Sequence, residues 1–179
     1  TLFSLPAFSS YTKIANNGST LAAGAALGSA AGDWACTRDN VTGLTWEIKT
    51  ATNTDLRYSG HAYTWYNSDG ATNGGDAGRA NGGTCSGGTG CDTEKFVADV
   101  NAVALCTYTD WRMPTRRELL SIVLNGTSSP AIDSAYFPDI VGNYYWSTDT
   151  YAPITAVAWF VFFSAGGAYY DMKSNTNYV

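Results

Sequence analysis

The sequence predicts an α+β domain of two helices and about eight short strands. Three observations carry that prediction. Of 179 residues 45% are apolar and only 14% charged, while Gly (19), Tyr (12) and Trp (6) are abundant. Such a profile suits a loop-rich domain of short strands better than a helical bundle. Two stretches place apolar residues at helical spacing behind capping signals. Several shorter stretches rich in Tyr, Trp and Val alternate and stop at Gly, Asn or Asp turn signals. At this length one domain spanning residues 1–179 is the default, with enough chain to bury a core.

Taken in order, residues 1–10 read as a loose N-terminal arm. Tyr11 to Ile14 alternates as a strand and stops at Asn16-Asn17-Gly18. The Ala/Gly segment Leu21 to Gly32 reads as a loop. Trp34 to Arg38 and Leu44 to Lys49 alternate about Asp39-Asn40-Val41-Thr42-Gly43, a hairpin with a glycine-containing turn. Asn40-Val41-Thr42 is formally a glycosylation sequon but is ordinary turn chemistry in this setting. Tyr63 to Tyr66 is a short aromatic strand. Asp92 or Thr93 caps a first helix whose Phe96, Val97, Val100, Val103 and Ala104 should face inward. Thr115 and Glu118 form a capping box, and Pro114 favours an extended approach to it. The second helix is predicted from Arg116 to about Leu124, burying Leu119, Leu120 and Val123 and stopping at Asn125-Gly126. Strands follow at Tyr144 to Ser147, Ala158 to Phe163 and Ala168 to Met172, and another begins at Tyr178-Val179.

Four cysteines allow three connectivities. Cys85 and Cys91 bracket Ser-Gly-Gly-Thr-Gly, flexible enough to close on itself, which would leave Cys36 with Cys106. By loop-closure entropy the short bridge stabilises by about 2 kcal/mol and the long one by about 4 kcal/mol. Two bridges point to an oxidising, extracellular or cell-surface compartment. The single His61 cannot complete a zinc set. Residues 67–78 form the longest polar loop, and their Asp and Asn spacing is similar to a calcium loop, with Asp69, Asn73 and Asp76 as ligands if an ion binds. The loop lacks a closing bidentate Glu, and the plainer expectation is a disulfide-pinned loop with no cofactor. A net charge of −5 with scattered basic residues excludes nucleic acid and direct membrane insertion as expected modes of action. Arg112, Arg116 and Arg117 are the one basic cluster, expected to pair with Asp110 and Glu118 on the helix surface. No apolar run is long enough to span a bilayer and no signal peptide is recognisable, so an exported protein would be represented here by a mature fragment.

Asp110-Trp111-Arg112-Met113-Pro114-Thr115-Arg116-Arg117-Glu118-Leu119 resembles the Asp-Trp-Arg-Leu-Pro-Thr-Arg-Lys-Glu-Leu core of the DUF1566 family, the C-terminal domain of the Legionella collagen-like adhesin. Asp39 to Lys49 and Tyr144 to Ser147 resemble two further motifs of that family, in the right order. The resemblance implies a C-type-lectin-like fold of the formylglycine-generating-enzyme type, with two helices packed on short twisted antiparallel sheets joined by long loops. It also implies a bacterial surface role, sulfated glycans as one ligand class, and a short Arg-Leu-Val-Arg segment after Val179.

Residues 147–179 are similar, in addition, to the variable region of diversity-generating retroelement target proteins. That likeness assigns Trp146, Ala158, Trp159, Val161, Phe163, Gly166, Lys173, Tyr178 and Val179 to a fixed scaffold. It assigns Thr148, Asp149, Tyr151, Thr155, Phe162, Ser164, Ala165, Tyr169, Tyr170, Asp171, Ser174, Asn175, Thr176 and Asn177 to an exchangeable, ligand-binding set. Strand alternation supports the division, since Phe162 should point opposite to Val161 and Phe163, and Tyr, Ser, Asn and Asp are the residues paratopes favour. The plain alternative makes Phe162, Tyr169 and Tyr170 core or half-buried strand residues, the tryptophans mostly scaffold that fills the core, and His61 a loop or satisfied histidine. The expected function is therefore a surface-displayed module that binds a protein or glycan through a C-terminal variable face. The alternative is a non-diversified adhesin for sulfated glycans. Catalysis is not expected, because no nucleophile–base pattern is present and all four cysteines are committed to bridges.

Overall fold

A computed structural model describes residues 10–179, so the proposed N-terminal arm lies, apart from Ser10, outside the described residues. β1 (Tyr11–Ala15), β2 (Trp34–Asp39) and β3 (Thr45–Glu47) form an antiparallel sheet in that order. Its β2–β3 turn is built by Asp39, whose carboxylate accepts the Val41 N–H at 2.8 Å and the Thr42 hydroxyl at 2.8 Å. Gly43 closes the turn at φ +78°, a conformation that favours glycine, and donates its N–H to the Asp39 carbonyl.

β4 (Tyr63–Thr64) pairs with β8 (Thr176–Asn177), so the expected last strand begins two residues early. The C-terminal sheet is β5 (Tyr144–Thr150), β6 (Val157–Phe162) and β7 (Gly167–Met172), antiparallel and in that order. Tyr178 exchanges main-chain hydrogen bonds with Tyr144 and Trp146, covering the outer edge of β5. On the outer edge of β7 the Met172 carbonyl accepts the Asn175 N–H of the turn that follows, and no other strand pairs there among the described residues. Among the described residues the architecture is mixed α+β: two α-helices and small antiparallel sheets, with loops carrying most of the residues.

α1 (Thr93–Ala102) starts at Asp92, which accepts the Lys95 N–H at 2.9 Å, and it buries Phe96 and Val100 against Ile14, Tyr63 and Cys36. Val97 is half-buried, but Val103 is 63% exposed, against expectation. The helix stops at Ala102 with Val103 as its exposed C-cap, and Ala104 turns left-handed at φ +48°, after which Leu105 and Cys106 return to the core. A tight turn at Leu105–Thr107 then presents Cys106 to Cys36. α2 (Arg116–Ser121) is one turn shorter than predicted, with Ile122 as its last cap. Leu119 and Ile122 fill the core, while Leu120 is exposed and Val123 half-buried. The capping box is present in both directions: Thr115 Oγ1 accepts the Glu118 N–H and Glu118 Oε2 accepts the Thr115 N–H.

Both expected disulfides form, Cys36–Cys106 and Cys85–Cys91, with Cα separations of 6.5 and 5.5 Å. The first ties β2 to the chain beyond α1 across 70 residues of sequence, the second closes a loop of six. Removing the long bridge as the pair Cys36→Ala/Cys106→Ala should cost about 4 kcal/mol of stability, and the pair Cys85→Ala/Cys91→Ala about 2 kcal/mol. Urea unfolding of the two double variants measures this, and equal losses would contradict the loop-length argument.

Candidate functional site

The register of the C-terminal sheet decides where the exchangeable residues point. Trp159 faces Tyr170 across β6 and β7, and Phe160 faces Tyr169. Adjacent residues of a strand point to opposite faces, so Tyr169 and Tyr170 leave the sheet on opposite sides. Instead of one continuous face there are two aromatic clusters.

On the α2 side, Tyr151 stacks on Tyr170 with ring centroids 4.2 Å apart and planes 14° from parallel. Trp159 stands edge-on to both rings, at 5.3 and 5.5 Å. The Arg116 guanidinium lies 4.1 Å over the Trp159 ring, a stacking geometry that suits a planar cation. Asp149 accepts the Arg116 N–H, and Thr148 donates its N–H to the Pro114 carbonyl at 2.8 Å. The loop between β5 and β6 adds exposed Ile154 and Thr155, and Met172 lies on the same face of β7 as Tyr170. Tyr170 is 52% exposed although its ring is packed on two others.

On the opposite side Tyr144, Phe160, Phe162 and Tyr169 form the second cluster, with Tyr144 4.6 Å from Phe160 and 4.8 Å from Phe162. Phe162 thus points away from Val161 and Phe163, which are fully buried, as alternation required. Asp171 shares this side and accepts from Asn175 Nδ2 at 2.7 Å. Ser164 and Ala165 sit at the β6–β7 hairpin, Ser164 hydrogen-bonded to Ser129, and Ser174 and Thr176 are exposed on the turn toward β8. Asn177 is a correction: it is only 5% exposed, because its pairing with Tyr63 holds it inside the β4–β8 ladder. Of the expected scaffold, Trp146, Ala158, Val161, Phe163 and Lys173 are buried.

Sequence reasoning missed Arg116 and Tyr144 as members of these clusters and treated Trp159 as scaffold alone. Cross-strand register would have been needed to find them. The basic cluster pairs as expected at Arg112 only. Arg112 forms a two-pronged ion pair with Glu118 at 2.7 and 2.9 Å, Arg116 goes to Trp159, and Arg117 is exposed.

Residues 67–78 are not pinned by a disulfide. Glu94 of α1 holds one end through the Ser68 N–H and hydroxyl, and Lys173 holds the other through the Asn73 and Asp76 carbonyls. The three side chains suggested as calcium ligands each cap their own turn. Asp69 bonds Ala71 and Thr72, Asn73 bonds Gly75, and Asp76 bonds Gly78. Among the described residues no group of three His, Cys, Asp or Glu is gathered.

A disulfide-clamped α+β domain carrying an open aromatic cluster is the class these features define. The model of the Lcl C-terminal domain family matches residues 35–179, so the chain belongs to that family. No curated protein and no solved structure matches it.

Arg112, hydrogen-bonded to Glu118, holds the Glu118 carboxyl at about 2 against an ordinary 4.5; burial opposes the shift and two bonds from Thr115 add to it. A carboxyl lowered in the folded state stabilises fully above 4.5, and that stability is lost as pH falls through about 2. Because Arg112 is more than half exposed, solvent screening reduces the contribution to about 1–2 kcal/mol. Glu118→Gln should lower stability by that amount at neutral pH and flatten the acid limb of the Tm–pH profile between 4.5 and 2.

Proposed function

We propose that the chain is an adhesin-like, surface-displayed binding module that recognises a protein or glycan through the α2-side cluster of Tyr151, Trp159 and Tyr170. The observation that carries this reading is the Tyr151–Tyr170 stack: two rings fixed by each other and by Trp159, one of them half open to solvent. Rings already ordered lose little entropy on binding, and tyrosines offer apolar area with a polar tip. Thr148, Asp149 and Thr155 supply polar groups around them, and Ile154 and Met172 extend the apolar area. The fold that presents this surface is, in our reading, C-type-lectin-like. In the same reading the exchangeable residues identified from the sequence make it a diversity-generating retroelement target, whose variable positions supply Tyr151 and Tyr170 to one cluster and Phe162 and Tyr169 to the other.

Two disulfides suit an oxidising extracellular compartment, and no helix among the described residues is long and apolar enough to cross a membrane. The reading is non-catalytic, supported by the absence of free cysteines among the described residues. Sulfated glycan is the less favoured ligand. Arg112 is neutralised by Glu118 and Arg116 is stacked on Trp159, which leaves Arg117 alone against a net charge of −5. Retention on heparin that vanishes at moderate salt would reverse that preference.

The test pairs substitutions on the two sides of the sheet. Against a ligand identified by glycan array or cell-surface capture, Tyr151→Ala and Tyr170→Ala should each weaken binding by about 2 kcal/mol, roughly thirtyfold. Tyr169→Ala and Phe162→Ala should leave it within about twofold. Loss confined to the second pair would move the site to the other side. A reverse-transcriptase gene beside the coding region, with a near-copy of its 3′ end, is expected if the surface is diversified.

A further inference from the structure

Lys173 is 1% exposed, yet among the described residues no carboxylate bonds its ammonium. Nζ donates instead to the Asn73 carbonyl at 2.9 Å and the Asp76 carbonyl at 2.6 Å, and lies 3.9 Å over the Trp65 ring. The Asp76 carboxylate is turned to the Gly78 N–H. Burying an ammonium whose hydrogen bonds go to neutral carbonyls is unfavourable unless they are arranged around it; desolvation lowers the lysine's pKa, and the charge of the Asp76 carboxylate opposes that shift in part. Two carbonyls and an aromatic face converging on one cation resemble the way a protein loop surrounds a bound metal ion.

The surroundings explain what that cation holds. The Asn73 carbonyl accepts a second hydrogen bond, at 2.9 Å, from the Thr150 hydroxyl at the end of β5. A Cβ on Gly74 would meet Thr150 at 2.7 Å, and one on Gly75 would lie 3.6 Å from Thr155. Lys173 itself is tied by its main chain to Ala156 and Trp65. Three segments therefore meet around Lys173: residues 67–78 on its ammonium, the β5–β6 connection through Ala156 on its main chain and Thr150 on the shared Asn73 carbonyl, and the turn after β7 that carries it.

We propose that Lys173 is a positioning residue that does the work of a structural cation, fixing residues 67–78 beside the Tyr151–Tyr170 cluster so that loop and cluster present one surface. The exposed residues 68–72 and Gly74–Gly75 then extend the recognition surface along its Thr155 border. The value of that extension rests on the binding role proposed above; the clamp does not, and its test uses no ligand.

Residue-resolved hydrogen exchange of the whole chain provides the test. Lys173→Met keeps the length and removes the charge. Exchange should become about tenfold faster at Asn67, Asn73, Gly75 and Gly78, whose N–H groups are bonded within the loop, and faster also at Tyr151 and Val157. Phe96 and Val100 in α1 should keep their protection. In Lys173→Ala, methylammonium should restore protection to the loop and methanol should not. An unchanged loop, an increase spread evenly over β1–β3 and α1, or no effect of methylammonium would each overturn the proposal. Loosening of the loop without Tyr151 and Val157 would overturn the single surface. Failure to find any ligand would leave these results readable, so the two readings fail separately.

Discussion

A chain with few ladder residues must satisfy its loop carbonyls by other means, because buried main-chain polar groups rarely remain unpaired. Here much of that work falls to buried cations. Lys13 of β1 donates to the Ala25 carbonyl at 2.9 Å while lying 3.5 Å over the Trp34 ring, which fastens the Ala/Gly segment to the first sheet. Arg57 donates to the Ala35 and Ile48 carbonyls and bridges the first sheet to the segment after β3. Lys173 does the same for residues 67–78. In each case the cation meets carbonyl oxygens, and twice an aromatic face, so a charge-poor sequence uses several of its ten basic residues inside.

The Asp110–Leu119 motif is the second organiser. Asn101 clamps Trp111 by bonding both its N–H and its carbonyl, which fixes the strand-like approach to α2 against α1. From there the Pro114 carbonyl and the Arg116 N–H reach Thr148 and Asp149 on β5, and the Arg116 side chain reaches Trp159 on β6. The motif therefore joins the helical half of the molecule to the strands that carry the candidate surface. Glu118 closes the helix cap and neutralises Arg112 at once.

Strand alternation then divides the candidate surface. An edge strand with Tyr at two consecutive positions cannot direct both rings to one partner, and the bulge between Trp146 and Thr150 brings Tyr151 beside only one of them. A partner approaching the α2 side would meet Tyr151 and Tyr170, and one approaching the other side would meet Phe162 and Tyr169. Diversification over both sets would vary two surfaces that one flat partner does not touch together.

Local chemistry was legible from the residues themselves. The Thr115–Glu118 box, the Asp39 turn, the Asp92 cap and the closure of Cys85 on Cys91 each depend on groups a few positions apart, whose geometry the backbone largely dictates. The same locality made strand and helix positions readable to within a turn. Helix length beyond Ser121, the outward swing of Val103, the burial of Asn177 and the division of the tyrosines were settled only by tertiary structure. Each depends on a partner far along the chain: Tyr63 for Asn177, Trp159 for Tyr170, Asn73 for Lys173. Sequence spacing specifies which way a side chain leaves its own element, but what it meets there is fixed by register and packing between distant segments.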